Sequence, residues 1–350
     1  MVQVLISVLN LVIFAALFGC LVGWGYGVVR WRRGQPLLDP ERRRKPRHGI
    51  AEVVMLIGLW LVLTVIGIGA AEQFGWVEPV DPSEEATLRL DPDFAIRFTI
   101  EGLAKLGAIG LLLGWLRTIQ PHAVQRLGLV PRRGDVRIGL IAAAMLIPPV
   151  MMIQQLLNLL TPYVHPVKDL IEARPTPLLG TLLALNTVLI APLAEEFLFR
   201  GVLQGWFQRL GRRRTPFLPA AEVLAGDAAG DEPAVTIDAR DGAEDPVVAS
   251  EQARGEPVRE AESDWWEARE VQQLPLWPMV LTSLLFSLVH WGQGAAPVSL
   301  FLLALGLSYL TRQTGRLGPA ITVHFCLNAT ATAAMFLASG SPADPPPLGP

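Results

Sequence analysis

Cysteine is nearly absent from this chain of 350 residues. Its two cysteines, Cys20 and Cys326, both lie inside apolar runs, which excludes a disulfide framework and a thiolate zinc site. Charge is scarce too. Charged residues make up 17% of the chain, against about 25% in an average soluble protein. The shortage is sharper than that figure, because 15 of the 32 acidic residues fall between Glu222 and Glu270. No basic block is built for a nucleic-acid surface, so no nucleic-acid partner is expected. The HExxH spacing of soluble zinc proteases is also missing. What remains is apolar: 51% of the residues and a mean hydropathy of +0.39. Those values argue against both a soluble globular enzyme and global disorder.

The apolar residues fall in eight stretches, roughly 2–29, 50–71, 97–116, 138–160, 177–207, 277–291, 296–311 and 317–338. A helix needs about 20 such residues to cross the hydrocarbon core, so the sixth and seventh, at about 15 each, require tilt or local thinning. Unpaired backbone groups are too costly in lipid for anything but helix. The expected fold is therefore all-α, a multi-pass membrane bundle of about eight transmembrane helices. Alternate loops agree in charge. The first carries Arg30, Arg32, Arg33, Arg42, Arg43, Arg44, Lys45 and Arg47, whereas the second is acidic. The third holds Arg117, Arg126, Arg132, Arg133 and Arg137, and Arg209–Arg214 and Arg312–Arg316 fall on the same side. By the positive-inside rule that side is cytoplasmic, which puts both termini outside and suits a bacterial inner membrane. The first span has no basic leader and is about 28 residues long, so it reads as uncleaved.

The chain divides into three parts. Residues 1–137 hold N-terminal helices and loops, and 138–338 form a core. Residues 339–350 are a Pro-rich tail read as disordered. Residues 211–276 interrupt the core; they are rich in Ala, Gly, Asp, Glu and Pro. That composition reads as a disordered cytoplasmic insertion, with Trp265-Trp266 suited to the membrane interface. His48, His122 and His165 are loop residues with no assigned role. Glu101 and Lys105 read as a structural ion pair, and Gln154, Gln155, Asn158 and Asn186 as interhelical hydrogen-bonding residues.

The functional signal is the ionisable residues inside the spans, where each charge costs at least ~2.5–3.5 kcal/mol. Span five ends with Glu195-Glu196-Phe197-Leu198-Phe199-Arg200. Glu196 and Arg200 are four apart in the favourable order for a helical ion pair. Glu195 is turned about 100° away, which leaves it free to act as a base in a dry site. Span six ends with Phe286 and His290, and span eight carries His324 and Asn328 on one helix face. Glu195 and His290 both lie roughly 18–20 Å from their cytoplasmic helix ends, and His324 about 10 Å. Alone, either histidine is more often an interhelical hydrogen-bonding residue. Together the set suits a glutamate that deprotonates water opposite His and Asn donors to an oxyanion. It also suits zinc held by Glu195, His290 and His324.

The succession EExxxR, FxxxH and HxxxN, each on its own membrane helix, resembles the CPBP family over about residues 140–338. That family includes type II CAAX prenyl endopeptidases and bacterial bacteriocin-processing or immunity proteins. The resemblance implies an intramembrane endopeptidase. Glu195 would activate the water, His290 would position it, and His324 with Asn328 would form the oxyanion site. Glu196 and Arg200 would support the helix, and Phe286 would orient His290. The family was once described as metalloproteases, but the resemblance favours a metal-free glutamate mechanism, with zinc as the alternative cofactor. The partners implied are the bilayer and a membrane-associated peptide or protein. The rival reading is a non-catalytic immunity or scaffold protein, or a transporter component that uses the same residues as a relay. No internal repeat of the transporter kind is visible.

Overall fold

Apolar stretches bounded by arginines leave the backbone one low-energy choice in lipid, and the computed structural model shows it. Residues 2–79, 93–161, 177–214 and 264–339 are described. The tail beyond 339, His165 and residues 215–263 of the expected insertion lie outside the described residues. The principal helices are α1 (Val2–Arg32), α2 (Ile50–Gln73), α3 (Phe94–Ile119), a short α4 (Ala123–Arg126) and α5 (Asp135–Asn158). Then come α6 (177–214), a short α7 (Ala268–Gln272), α8 (Trp277–Leu288), α9 (Ala296–Thr314) and α10 (Gly318–Ser339). The fold is thus an all-α bundle, and each of the eight expected spans is helical. Among the described residues, four stretches are long and apolar enough to cross a membrane: Phe14–Arg32, Ile50–Gln73, Asp135–Asn158 and Gly180–Arg212. The sixth span is shorter than its apolar run, because α8 stops at Leu288. That leaves His290 in the turn beyond the helix rather than within it.

Two apolar clusters hold the bundle. One joins Val53 and Leu56 of α2, Ala108, Leu112 and Leu116 of α3, and Phe197 and Val202 of α6. The other joins Ala143 and Val150 of α5, Leu303 and Leu307 of α9, and Val323 and Leu327 of α10. Small residues allow the closest approaches. A Cβ on Gly102 of α3 would stand 2.0 Å from Asn186 Oδ1 of α6. The outer faces are apolar instead of polar: Leu21, Leu61, Val65, Leu103 and Met152 are exposed, as a lipid solvent requires.

The basic loops meet at one end of the bundle, and there two expectations change. The end of the insertion is folded: β1 (Arg43–Arg44) pairs antiparallel with β2 (Trp265–Trp266), and α7 buries Val271 with Leu274 close by. Trp266 is buried and Trp265 lies between the guanidinium groups of Arg42 and Arg44, at 4.8 and 4.5 Å. Both tryptophans are thus stacked on arginines of the first loop. Asp264 accepts hydrogen bonds from Arg44, Arg47 and Arg126. Burial pushes its carboxyl up, but these cations more than offset that and hold it below the usual range. Glu41 and Asp135 do the same service for Arg316. His48, expected to be an idle loop residue, is buried against Gly205, where a Cβ would come within 2.5 Å of its Nε2.

Candidate active site

The site begins with an irregularity in α6. Two π-helical turns, Asn186–Ile190 and Phe197–Leu203, flank the α-helical segment Ala191–Glu196. The Ala191 N–H reaches the Asn186 carbonyl, and the Gln204 N–H reaches that of Phe199. Both bonds span five residues instead of four. Each extra residue rotates the remainder of the helix by about 100°, so the π-turns set the direction in which the glutamates face. Turns of this kind recur at functional sites.

Between them the two glutamates divide sharply. Glu196 and Arg200 have side chains with 0% exposure, whereas Glu195 retains 26%. Glu196 Oε1 accepts from Arg200 Nη1 at 3.0 Å and lies 2.8 Å from His324 Nδ1. Its expected role of helix support is thus incomplete, since it also fixes the imidazole. With the Nδ1–H pointed at Glu196, Nε2 of His324 faces Glu195 Oε2 at 3.8 Å; the tautomer is set by the partners. The row Arg200–Glu196–His324–Glu195 connects α6 to α10.

Phe286 of α8 is the apolar hub of this row. It is fully buried, with the Arg200 guanidinium 4.4 Å above its ring. Phe199 meets its edge at 5.2 Å, His290 lies at 5.0 Å and His324 at 5.7 Å. A cation over a ring face in so dry a position is worth about 2 kcal/mol. His290 Nδ1 lies 2.9 Å from the Phe286 carbonyl, one of the groups a helix C-terminus leaves without a donor. Its Nε2 is therefore the nitrogen left to act. The structure brings both histidines onto one phenylalanine.

Asn328 sits differently. Its Nδ2 donates to the Thr187 carbonyl in the first π-turn at 2.8 Å, so one amide hydrogen is committed to backbone. Sequence reasoning missed that contact, the bridging role of Glu196 and the packing of Phe199. No residue pattern signals a π-turn, although a proline at position 192 next to a buried motif is a hint.

Zinc can be tested on the donors themselves. Each histidine holds its Nδ1 against an oxygen, which is how zinc-ligating rings are commonly held. Among the described residues, however, no set of three His, Cys, Asp or Glu side chains is arranged to hold a metal ion. As arranged, Glu195, His290 and His324 do not form a ligand set.

A membrane bundle with an ionisable row buried across two helices suits a hydrolase site or a proton relay. The comparisons narrow the choice: the family described as Type II CAAX prenyl endopeptidase Rce1-like matches residues 177–226 and 259–330. Those stretches contain Glu195, Glu196, Arg200, Phe286, His290, His324 and Asn328. Over them, about a third of the chain, the sequence is similar to that family. No curated protein and no solved structure matches the chain.

Proposed function

We propose that this chain is a glutamate-type intramembrane endopeptidase, cleaving a peptide bond in a prenylated or amphipathic membrane-associated substrate. The single observation that carries the reading is the unequal pair: Glu196 is fully buried and spent on Arg200 and His324, while Glu195 is accessible beside Nε2 of His324. Glu195 takes a proton from a water that His290 Nε2 helps to orient. The resulting hydroxide attacks the scissile carbonyl carbon. His324, when protonated on Nε2, donates to the oxyanion that forms, and the proton on Glu195 passes to the leaving amine. The gathering of basic loops at one end favours a cytoplasmic mouth there, with both termini outside, in a bacterial inner membrane.

The test is cleavage of quenched-fluorescent peptides, lipidated and plain, by the full chain in detergent. Glu195→Gln, His290→Ala and His324→Ala are run beside it, each with and without a zinc chelator. Loss in all three variants with survival under chelation supports the reading. Loss under chelation with recovery on added zinc replaces the glutamate mechanism by a metal one. Equal peptide binding by wild type and Glu195→Gln, with no cleavage by either, replaces the enzyme by a binding protein.

A further inference from the structure

The first π-turn of α6 changes which carbonyl each N–H can reach. The Ala191 N–H bonds the Asn186 carbonyl, five residues back. In that register the next carbonyl, Thr187, would receive the N–H of residue 192. Residue 192 is proline and has no N–H to give. A carbonyl left without a donor inside a membrane has no bulk water to turn to and costs on the order of kilocalories. The donor it receives comes from another helix: Asn328 Nδ2, at 2.8 Å. Asn328 is one helical turn beyond His324 on α10, and Pro192 is three residues before Glu195 on α6. The same contact that satisfies Thr187 therefore ties the π-turn to the helix that carries His324.

We propose that Asn328 is a positioning residue, a side-chain substitute for the N–H that Pro192 lacks, which pins the π-turn and so aims Glu195 at Nε2 of His324. Pro192 frees the Thr187 carbonyl and Asn328 captures it, and neither is useful without the other. The catalytic consequence rests on the proposed role of Glu195, whereas the hydrogen-bond exchange itself does not. This assignment differs from a donor to the oxyanion, which would need the Asn328 amide directed at substrate.

The two roles separate in a double substitution. Asn328→Ala strands the Thr187 carbonyl; Pro192→Ala returns an N–H to α6 itself. We expect Asn328→Ala to lower kcat about 10²-fold through misplaced groups and to lower Tm by a few degrees. Pro192→Ala added to it should recover more than half of both losses, with Pro192→Ala alone as the reference. Recovery of Tm without recovery of kcat would overturn the positioning role and return Asn328 to the substrate. A double variant no more stable than Asn328→Ala would overturn the hydrogen-bond exchange. Recovery of Tm in a chain that shows no cleavage in any form would keep the exchange and sink the protease reading instead.

Discussion

Two charged networks hold this protein, and they are built in opposite ways. The row inside the bundle runs through Glu196 and Arg200, four residues apart on one helix, and reaches His324 over a single interhelical contact. The cap at the basic end gathers Arg44, Arg47, Arg126 and Asp264 from three distant segments of chain. The inner row is dry: Arg200 and Glu196 have no exposed side-chain surface. The cap is partly wet, with Arg47 more than half exposed. In the dry row a charge without its partner is a severe penalty, so Glu196 and Arg200 are locked together and only Glu195 keeps exposed surface. In the cap three arginines share one carboxylate, and solvent takes up the difference.

The comparison can be broken at four points. The largest effect is expected from Glu195→Gln: as the proposed general base it should supply about 10²–10⁴ in kcat, while Tm stays close to wild type because its side chain is 26% exposed and its 3.8 Å contact with His324 is too long for a hydrogen bond. Next comes Glu196→Ala, which leaves Arg200 buried without a carboxylate. Unfolding measurements in detergent should show about 3–5 kcal/mol lost, together with activity, since His324 is released as well. If Glu196→Ala were as stable as Glu195→Gln, the two glutamates would not differ in kind and the division of labour would fail.

In the cap, Asp264→Asn should cost less, about 1–3 kcal/mol. Part of that loss should shrink in high salt, since the exposed Arg47 contact is already screened there. A salt-independent loss would mean that the cap is as dry as the row. The last point concerns pH, where the effect is small per unit but spread over a window. His48 is held neutral, its pKa pushed down to about 4, first by burial and then by Arg209. The unfolded chain takes up a proton near pH 6.5, so the unfolded state binds more protons between there and pH 4. Stability should therefore fall as pH drops through that window, by at most ~1.4 kcal/mol per unit from this one group. His48→Leu should flatten that part of the stability profile.

The same contrast explains what could be read from residues alone. Helices announce themselves by apolar runs, so all eight were visible, although the end of α8 at Leu288 was not, because the run continues to Trp291. The inner row was largely visible because its members lie at i and i+4 or in short motifs. The connection of Glu196 to His324 was not, since it depends on a π-turn with no pattern in the residues. The cap was missed almost entirely. Asp264 sits in a stretch whose average composition reads as disorder, and averaging hides one carboxylate that three arginines have reached across 138 to 220 positions to find. The arginine contacts of Trp265 and Trp266 were hidden for the same reason: an amphipathic ring suits lipid headgroups, but it suits a guanidinium face as well.

One consequence lies in the antiparallel pairing of Arg43–Arg44 with Trp265–Trp266. The part of the chain that is similar to the family model begins at residue 177, yet its Asp264 and its buried Arg316 are answered by Arg44, Arg126, Glu41 and Asp135, all of which precede it. The N-terminal helices are therefore no detachable accessory. A gene fragment that encodes the matching part alone would carry orphaned charges, and evolution could exchange the front of this protein only for one that brings its own answers to them.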